Sequence, residues 1–72
     1  MSILLTGATG YVGNRLAHRL LEQGQAVNLL VRDPGAVNLP AAKNIQIFKG
    51  DIRDAGTVAL AMHGCTHVYH CA

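Results

Sequence analysis

With 72 residues, a formal net charge of +2 and half of its residues apolar, this chain can form at most one small domain. The apolar share excludes a disordered chain, and the six lysines and arginines are too scattered to track a nucleic-acid backbone. The apolar start is too short for a secretory signal or for a membrane span, which needs about 20 residues. Composition therefore predicts a globular unit with no nucleic-acid partner and no membrane partner.

The first half of the chain predicts two strands joined by a helix. Residues 3–5 form a short apolar run that stops at a glycine cluster, as a buried parallel strand does. Apolar side chains then recur at helical spacing over residues 10–23, and Gly24 stands where a helix C-cap glycine belongs. Residues 26–31 form a second apolar run, which ends at a Pro-Gly turn.

The second half continues this alternation. Residues 35–44 are small and loop-like, with room for one helical turn, and residues 45–48 predict a third strand. Asp54 is a suitable N-cap for a second helix that Gly64 closes, and residues 66–72 predict a fourth strand. Strands alternating with helices imply a parallel sheet with right-handed crossovers. The predicted fold class is α/β: a partial, Rossmann-like doubly wound sheet of about four strands in the order 3-2-1-4, with two main helices and its ligand above the carboxyl ends of the strands.

The segment TGATGYVG, residues 6–13, joins the first strand to the first helix. Gly7 permits a tight turn, Gly10 lets the backbone approach a pyrophosphate, and Gly13 lets the helix pack closely on the sheet. Free amide groups and the helix dipole then face the anion. This context of strand, turn and helix predicts a phosphate-binding turn, and the alternative is a turn that serves packing alone.

Three motifs in this order, TGATGYVG, VRDP and GDIRD, resemble those of the extended short-chain dehydrogenase/reductases. That family includes nucleotide-sugar epimerases and dehydratases and the dihydroflavonol-reductase-like enzymes. The resemblance covers all 72 residues, down to VYHCA at the end, and implies that residues 1–72 are the N-terminal NAD(P)-binding half of a Rossmann domain. In full length the implied activity is that of an epimerase, dehydratase or carbonyl reductase. The alternative is a non-catalytic nucleotide-sensing or interaction module of the NmrA-like type.

The resemblance also implies cofactor contacts beyond the three glycines. Asp51 would accept a hydrogen bond from the adenine amino group, while Ile52 would lie against the adenine ring. At the end of the fourth strand, Ala72 would contact the pyrophosphate and the ribose. The remaining residues assigned to the cofactor lie in the glycine turn: Thr9, Tyr11 and Val12. For Asp51 the alternative is structural, with its carboxylate anchoring the following turn.

In dinucleotide-binding folds, the residue at the end of the second strand contacts the adenosine ribose and distinguishes NAD from NADP. A carboxylate there binds the 2′-hydroxyl of NAD, whereas a guanidinium accommodates the 2′-phosphate of NADP. Arg32 stands where the family places the NAD-type acid, so the sequence favours NADP over NAD. Asp33 could turn inward instead, and the loop after it offers no second cation before Lys43. A solvated loop arginine is the alternative interpretation of Arg32.

No catalytic residue is predicted in this chain. The family that it resembles uses a tyrosine with a lysine four residues later, whereas Tyr11 is followed at that spacing by Arg15. Proton transfer and hydride positioning also need a held substrate. We therefore expect these 72 residues alone to catalyse nothing.

The predicted fourth strand region carries both cysteines, Cys65 and Cys71. Six residues of strand span roughly 20 Å, too far for a disulfide, so reduced thiols and a cytoplasmic location are expected. Together with His67 the cysteines would point to one face and His70 to the other, which argues against a shared metal. The outer edge of this strand is apolar and open, so we expect homo-oligomers to form along it.

Overall fold

A computed structural model describes residues 2–8, 10–39 and 43–71 of the chain. Four parallel strands form one sheet in the order β3-β2-β1-β4. The strands are β1 (Ser2–Thr6), β2 (Ala26–Val31), β3 (Ile45–Lys49) and β4 (His67–His70), and the helices are α1 (Tyr11–Glu22) and α2 (Ala55–Met62). The predicted fold class and strand order are confirmed.

The two helices cover opposite faces of the sheet. Successive residues of a strand point to opposite faces, and β1 is buried on both. Ile3 and Leu5 join a core cluster with Leu20 of α1, whereas Leu4 joins a second cluster with Ala61 of α2. This arrangement makes the unit doubly wound, with the carboxyl ends of all four strands at one edge.

The element boundaries follow local signals in the sequence. Asp54 caps α2 by accepting hydrogen bonds from the amides of Gly56 and Thr57, and Gly10 is the N-cap residue of α1. The loop after β2 contains one 3₁₀ turn, Pro34–Ala36. The fourth strand begins at His67, one residue later than predicted, although the amide of Thr66 already bonds to the carbonyl oxygen of Ser2 in β1.

Asn28 interrupts the apolar run of β2 for a structural reason. Its Nδ2 donates to the carbonyl oxygen of Ala61 at 2.8 Å, near the C-terminal end of α2, and lies 3.4 Å from Sγ of Cys65. A polar side chain in this position satisfies a helix carbonyl that would otherwise face the sheet. Asn28 thus ties β2 to α2.

The expectation that the two cysteines point to one face is wrong. Cys65 precedes β4 and packs with Leu4 and Leu30 on the α2 side, where burial raises the pKa of its thiol. Cys71 follows β4 and packs against the cluster on the α1 side. Both thiols are unbridged. The prediction assumed that both cysteines belong to one continuous strand. Because β4 begins only at His67, the side chain of Cys65 does not follow the alternation of the strand.

Candidate functional site

An open cleft of about 490 Å³ lies at the carboxyl edge of the sheet. The glycine turn contributes Gly7 and Gly10, the end of β2 contributes Arg32, and the segment after β3 contributes Asp51 and Ile52. These residues come from three separate stretches of the chain, and the parallel topology brings their strand ends together. The sequence-predicted Gly7, Gly10, Arg32, Asp51 and Ile52 therefore line one site.

The three glycines of the turn have different physical requirements. Gly7 adopts φ 78°, a left-handed conformation that favours glycine. A Cβ on Gly13 would lie 2.1 Å from the carbonyl oxygen of Gly7, so only glycine fits between α1 and the turn. A Cβ on Gly10 would meet that same oxygen at 3.5 Å, an ordinary contact, and would otherwise extend into open space. Backbone conformation and close packing thus require glycine at the first and third positions, whereas neither requires it at the second.

The N-terminus of α1 has no side-chain cap at Gly10 and no acidic residue in its first turn. The first amide groups of a helix have no partner within the helix, and they carry the positive end of its dipole. At α2 the carboxylate of Asp54 occupies that position, with 3.0 Å to the amide of Gly56. The start of α1, beside the cleft, therefore suits an anionic group that comes from outside the chain.

Tyr11 and Val12 stand in the first turn of α1 with exposed side chains that do not line the cleft. The hydroxyl of Tyr11 accepts a hydrogen bond from Nη1 of Arg15 at 3.2 Å, and the guanidinium lies 5.6 Å from the ring centroid. Their predicted cofactor contacts stay predictions. Thr9 and Ala72, also assigned to the cofactor, lie outside the described residues.

Arg32 and Asp33 leave β2 in different directions. Oδ1 of Asp33 accepts a hydrogen bond from the amide of Gly35 at 3.0 Å and thereby caps the 3₁₀ turn. Arg32 is exposed and lines the cleft. The side chain at the cleft is therefore the guanidinium, while the neighbouring carboxylate is engaged in its own turn.

Asp51 is held by Arg53, two residues further along the chain. Nη2 of Arg53 lies 2.7 Å from Oδ2 of Asp51, and Nε lies 3.1 Å from Oδ1, so the pair is bidentate. The backbone amide of Arg53 adds a third hydrogen bond to Oδ1 at 2.9 Å. Bonds that favour the charged form lower the pKa of Asp51 from 3.8 to about 2. The carboxylate therefore both anchors its turn, as the structural alternative holds, and faces the cleft as an acceptor.

Sequence reasoning missed five residues that line the cleft: Leu30, Val31, Gly50, Arg53 and Cys71. The spacing Asp-x-Arg after a strand was an available signal for Arg53, since a carboxylate and a guanidinium two residues apart in a turn can pair. Cys71 directly precedes Ala72, and its position in the sequence was interpreted only with respect to a disulfide and a metal site. A further hydrogen bond joins Oγ1 of the buried Thr6 to Nδ1 of His70 across β1 and β4, at the same edge of the sheet.

Titration of Asp51 provides a direct check of this geometry. NMR of the side-chain carboxyl should give a pKa of about 2, and Arg53→Gln should return it toward 3.8. Because the pKa is lower in the folded chain, the pair stabilises the fold above about pH 3.8, and this contribution is lost as pH falls through 2. An unchanged titration in the variant would contradict the bidentate pair.

Within residues 2–8, 10–39 and 43–71, no group of three or more histidine, cysteine or acidic side chains is placed to hold a metal ion. No helix in the same ranges is long and apolar enough to cross a membrane.

Fold and cleft together define a dinucleotide-binding unit, and comparison with known proteins agrees. The family model described as NAD(P)H-binding matches residues 7–72. Dihydroflavonol 4-reductase of Dianthus caryophyllus is 39% identical over 99% of this chain and 22% of its own length. Vestitone reductase from alfalfa superposes with a TM-score of 0.83 at 32% identity, covering 99% of this chain and 24% of that one.

A third similar protein has been solved with a bound cofactor. The Bordetella bronchiseptica enzyme WbmG, solved in complex with NAD, has a TM-score of 0.83 and 29% identity, and the match covers 100% of this chain and 24% of that enzyme. The chain belongs to the NAD(P)H-binding family, and it is similar to the cofactor-binding portion of the dihydroflavonol-reductase-like extended short-chain dehydrogenase/reductases. It spans about a fifth of the length of the curated relatives that it matches.

Proposed function

We propose that residues 1–72 form the N-terminal part of the cofactor domain of a longer NAD(P)-dependent enzyme, which acts as a carbonyl reductase or as a nucleotide-sugar epimerase or dehydratase. The observation that carries the proposal is the uncapped start of α1 beside a glycine whose Cβ the fold itself would tolerate. The relatives support the activity class, since they include reductases matched over 99% of this chain. A tyrosine-x-x-x-lysine pair in the remainder of the gene product would support the enzyme, and its absence would contradict it.

In this proposal each part of the cleft binds one part of the dinucleotide. The pyrophosphate lies against the glycine turn, where the backbone amides and the helix dipole stabilise its charge. Asp51 accepts a hydrogen bond from the adenine amino group, and Ile52, 46% exposed at the cleft, packs on the ring. The bound cofactor supplies hydride transfer, while these residues bind and orient it.

The cofactor that we propose is NADP rather than NAD. Arg32, directly after β2, is a charged residue that lines the cleft, whereas the carboxylate of Asp33 accepts a hydrogen bond from the amide of Gly35. A guanidinium matches a phosphate bidentately, whereas the 2′-hydroxyl of NAD favours a carboxylate.

Titration of the protein with NADP and NAD, followed by calorimetry, tests this preference. We expect NADP to bind about tenfold more tightly, a difference of about 1.4 kcal/mol, and Arg32→Gln to remove that difference. Tighter binding of NAD by the wild-type chain would overturn the preference. Failure of both ligands to bind would overturn the cofactor domain itself.

The proposal extends to assembly and location. Among the four strands of residues 2–71 that the structure describes, β4 lies at an outer edge and Val68 on it is 49% exposed, so we expect the 72-residue chain on its own to pair with a second copy along this edge. Sedimentation at rising concentration should show dimers, and a monomer at every concentration would contradict them. The two unbridged thiols support a reducing, cytoplasmic environment.

A further inference from the structure

Three charged side chains line the cleft: Arg32, Asp51 and Arg53. Two of them are positive and one is negative, so the site as folded carries one net positive charge. Without Arg53, the charge of Asp51 would cancel that of Arg32. The net positive charge of the cleft therefore depends on Arg53.

The guanidinium of Arg53 has more hydrogen-bond donors than its pair with Asp51 uses. It uses Nε and Nη2 for the carboxylate of Asp51, and Nη1 makes no hydrogen bond to the described residues. Its side chain is 82% exposed, so it can adjust toward a ligand without disturbing the core. Water screens an exposed ion pair, so the pair contributes little to stability and can rearrange when a second anion arrives.

We propose that Arg53 is a second determinant of 2′-phosphate recognition, acting together with Arg32 in the same cleft. This inference rests on the proposed NADP binding. The loop after β2 contains no lysine or arginine between Arg32 and Lys43. The fold supplies the missing cation from the segment after β3, because neighbouring parallel strands end at the same edge.

The charge of the ligand makes the effect selective. A phosphate monoester carries about −1.5 to −2 charges at pH 7, and a carboxylate facing it unpaired would repel it. Arg53 neutralises Asp51 and leaves the field of Arg32 available to the phosphate. A ligand that lacks the 2′-phosphate gains little from this neutralisation, because its ribose hydroxyl is uncharged.

Two probes that differ only in that phosphate test the inference: adenosine 2′,5′-bisphosphate and adenosine 5′-monophosphate. Their affinities are measured by calorimetry for the wild-type chain and for Arg53→Gln, which keeps a polar side chain and removes the charge. We expect the bisphosphate to lose roughly tenfold in affinity and the monophosphate less than about twofold. Arg53→Lys should recover most of the bisphosphate affinity, since it restores the charge without the bidentate fork.

Arg19→Gln is the matched control, because it removes the same charge from an exposed position in the last turn of α1, outside the cleft. It should leave both affinities unchanged. Equal losses for both probes in Arg53→Gln would overturn the inference and assign Arg53 to the adenine through Asp51. Unchanged affinities would overturn it as well. If the wild-type chain binds neither probe, the proposed cofactor site fails first, so the two failures are distinguishable.

Discussion

Gly13→Ala is expected to destabilise the fold by about 3 kcal/mol, the upper range for overpacking in a core. The added Cβ would lie 2.1 Å from the carbonyl oxygen and 2.7 Å from the carbonyl carbon of Gly7, and both are backbone atoms with no rotamer to change. Alanine gains about 1 kcal/mol in helix propensity over glycine, which is too little to offset the clash. Helix α1 must therefore move away from the start of the turn, and the core between α1 and β1 loosens.

Urea unfolding followed by circular dichroism measures this loss. A domain of this size has little stability to lose, so the melting temperature should fall by roughly 10–25 °C. Gly24→Ala serves as the control, because its added Cβ meets nothing within 4 Å and its cost comes only from φ 77°. That control should cost about 1 kcal/mol. A Gly13→Ala chain as stable as the control would show that α1 does not pack on the turn as described.

Local signals made most of the fold predictable. The N-cap role of Asp54 requires only the amides that follow it, and the turn at Asp33 requires only the amide of Gly35. The bounds of β2 follow from an apolar run between two turns. Such features depend on neighbours in the chain, so the sequence contains them in full.

Contacts between distant residues were not predictable in the same way. Asn28 looked like an interruption of a strand, and only the position of α2 shows that it bonds to Ala61, 33 residues away. The prediction that both cysteines point to one face was wrong, because β4 begins only at His67 and Cys65 lies outside its alternation of side chains. Alternation along a strand can be counted only once the start of the strand is known.

The candidate site is intermediate between these cases. The residue types at the cleft could be predicted, because a doubly wound sheet gathers the segments that follow its strands. The ion pair between Asp51 and Arg53 lies within one turn. Its effect on the charge of the cleft depends on Arg32, which follows a different strand. The charge balance of a site is a property of the assembled cleft, and the separate motifs do not contain it.

The three glycines of the turn have different roles, and substitution of the second one should affect binding rather than folding. Gly10→Ala is expected to weaken NADP binding roughly ten- to hundredfold, the equivalent of about 1–3 kcal/mol of overpacking against the ligand. Gly10 adopts φ −82° and ψ 166°, which any residue can adopt, and its Cβ would make only an ordinary contact with the turn. The methyl group would instead enter the space through which the backbone approaches the pyrophosphate.

Stability should change by no more than about 1 kcal/mol in this variant, because the poorer N-cap is partly offset by a less flexible unfolded chain. Calorimetric titration and urea unfolding of the same sample separate the two effects. Gly56→Ala is the matched control, since it places the same methyl group near the start of α2, outside the cleft and 3.4 Å from Oδ1 of Asp54. It should bind NADP as the wild-type chain does. If Gly10→Ala also binds NADP normally, the turn serves packing alone and the cofactor lies elsewhere; if it binds weakly and folds normally, the absence of a side chain at this position is a requirement of the ligand.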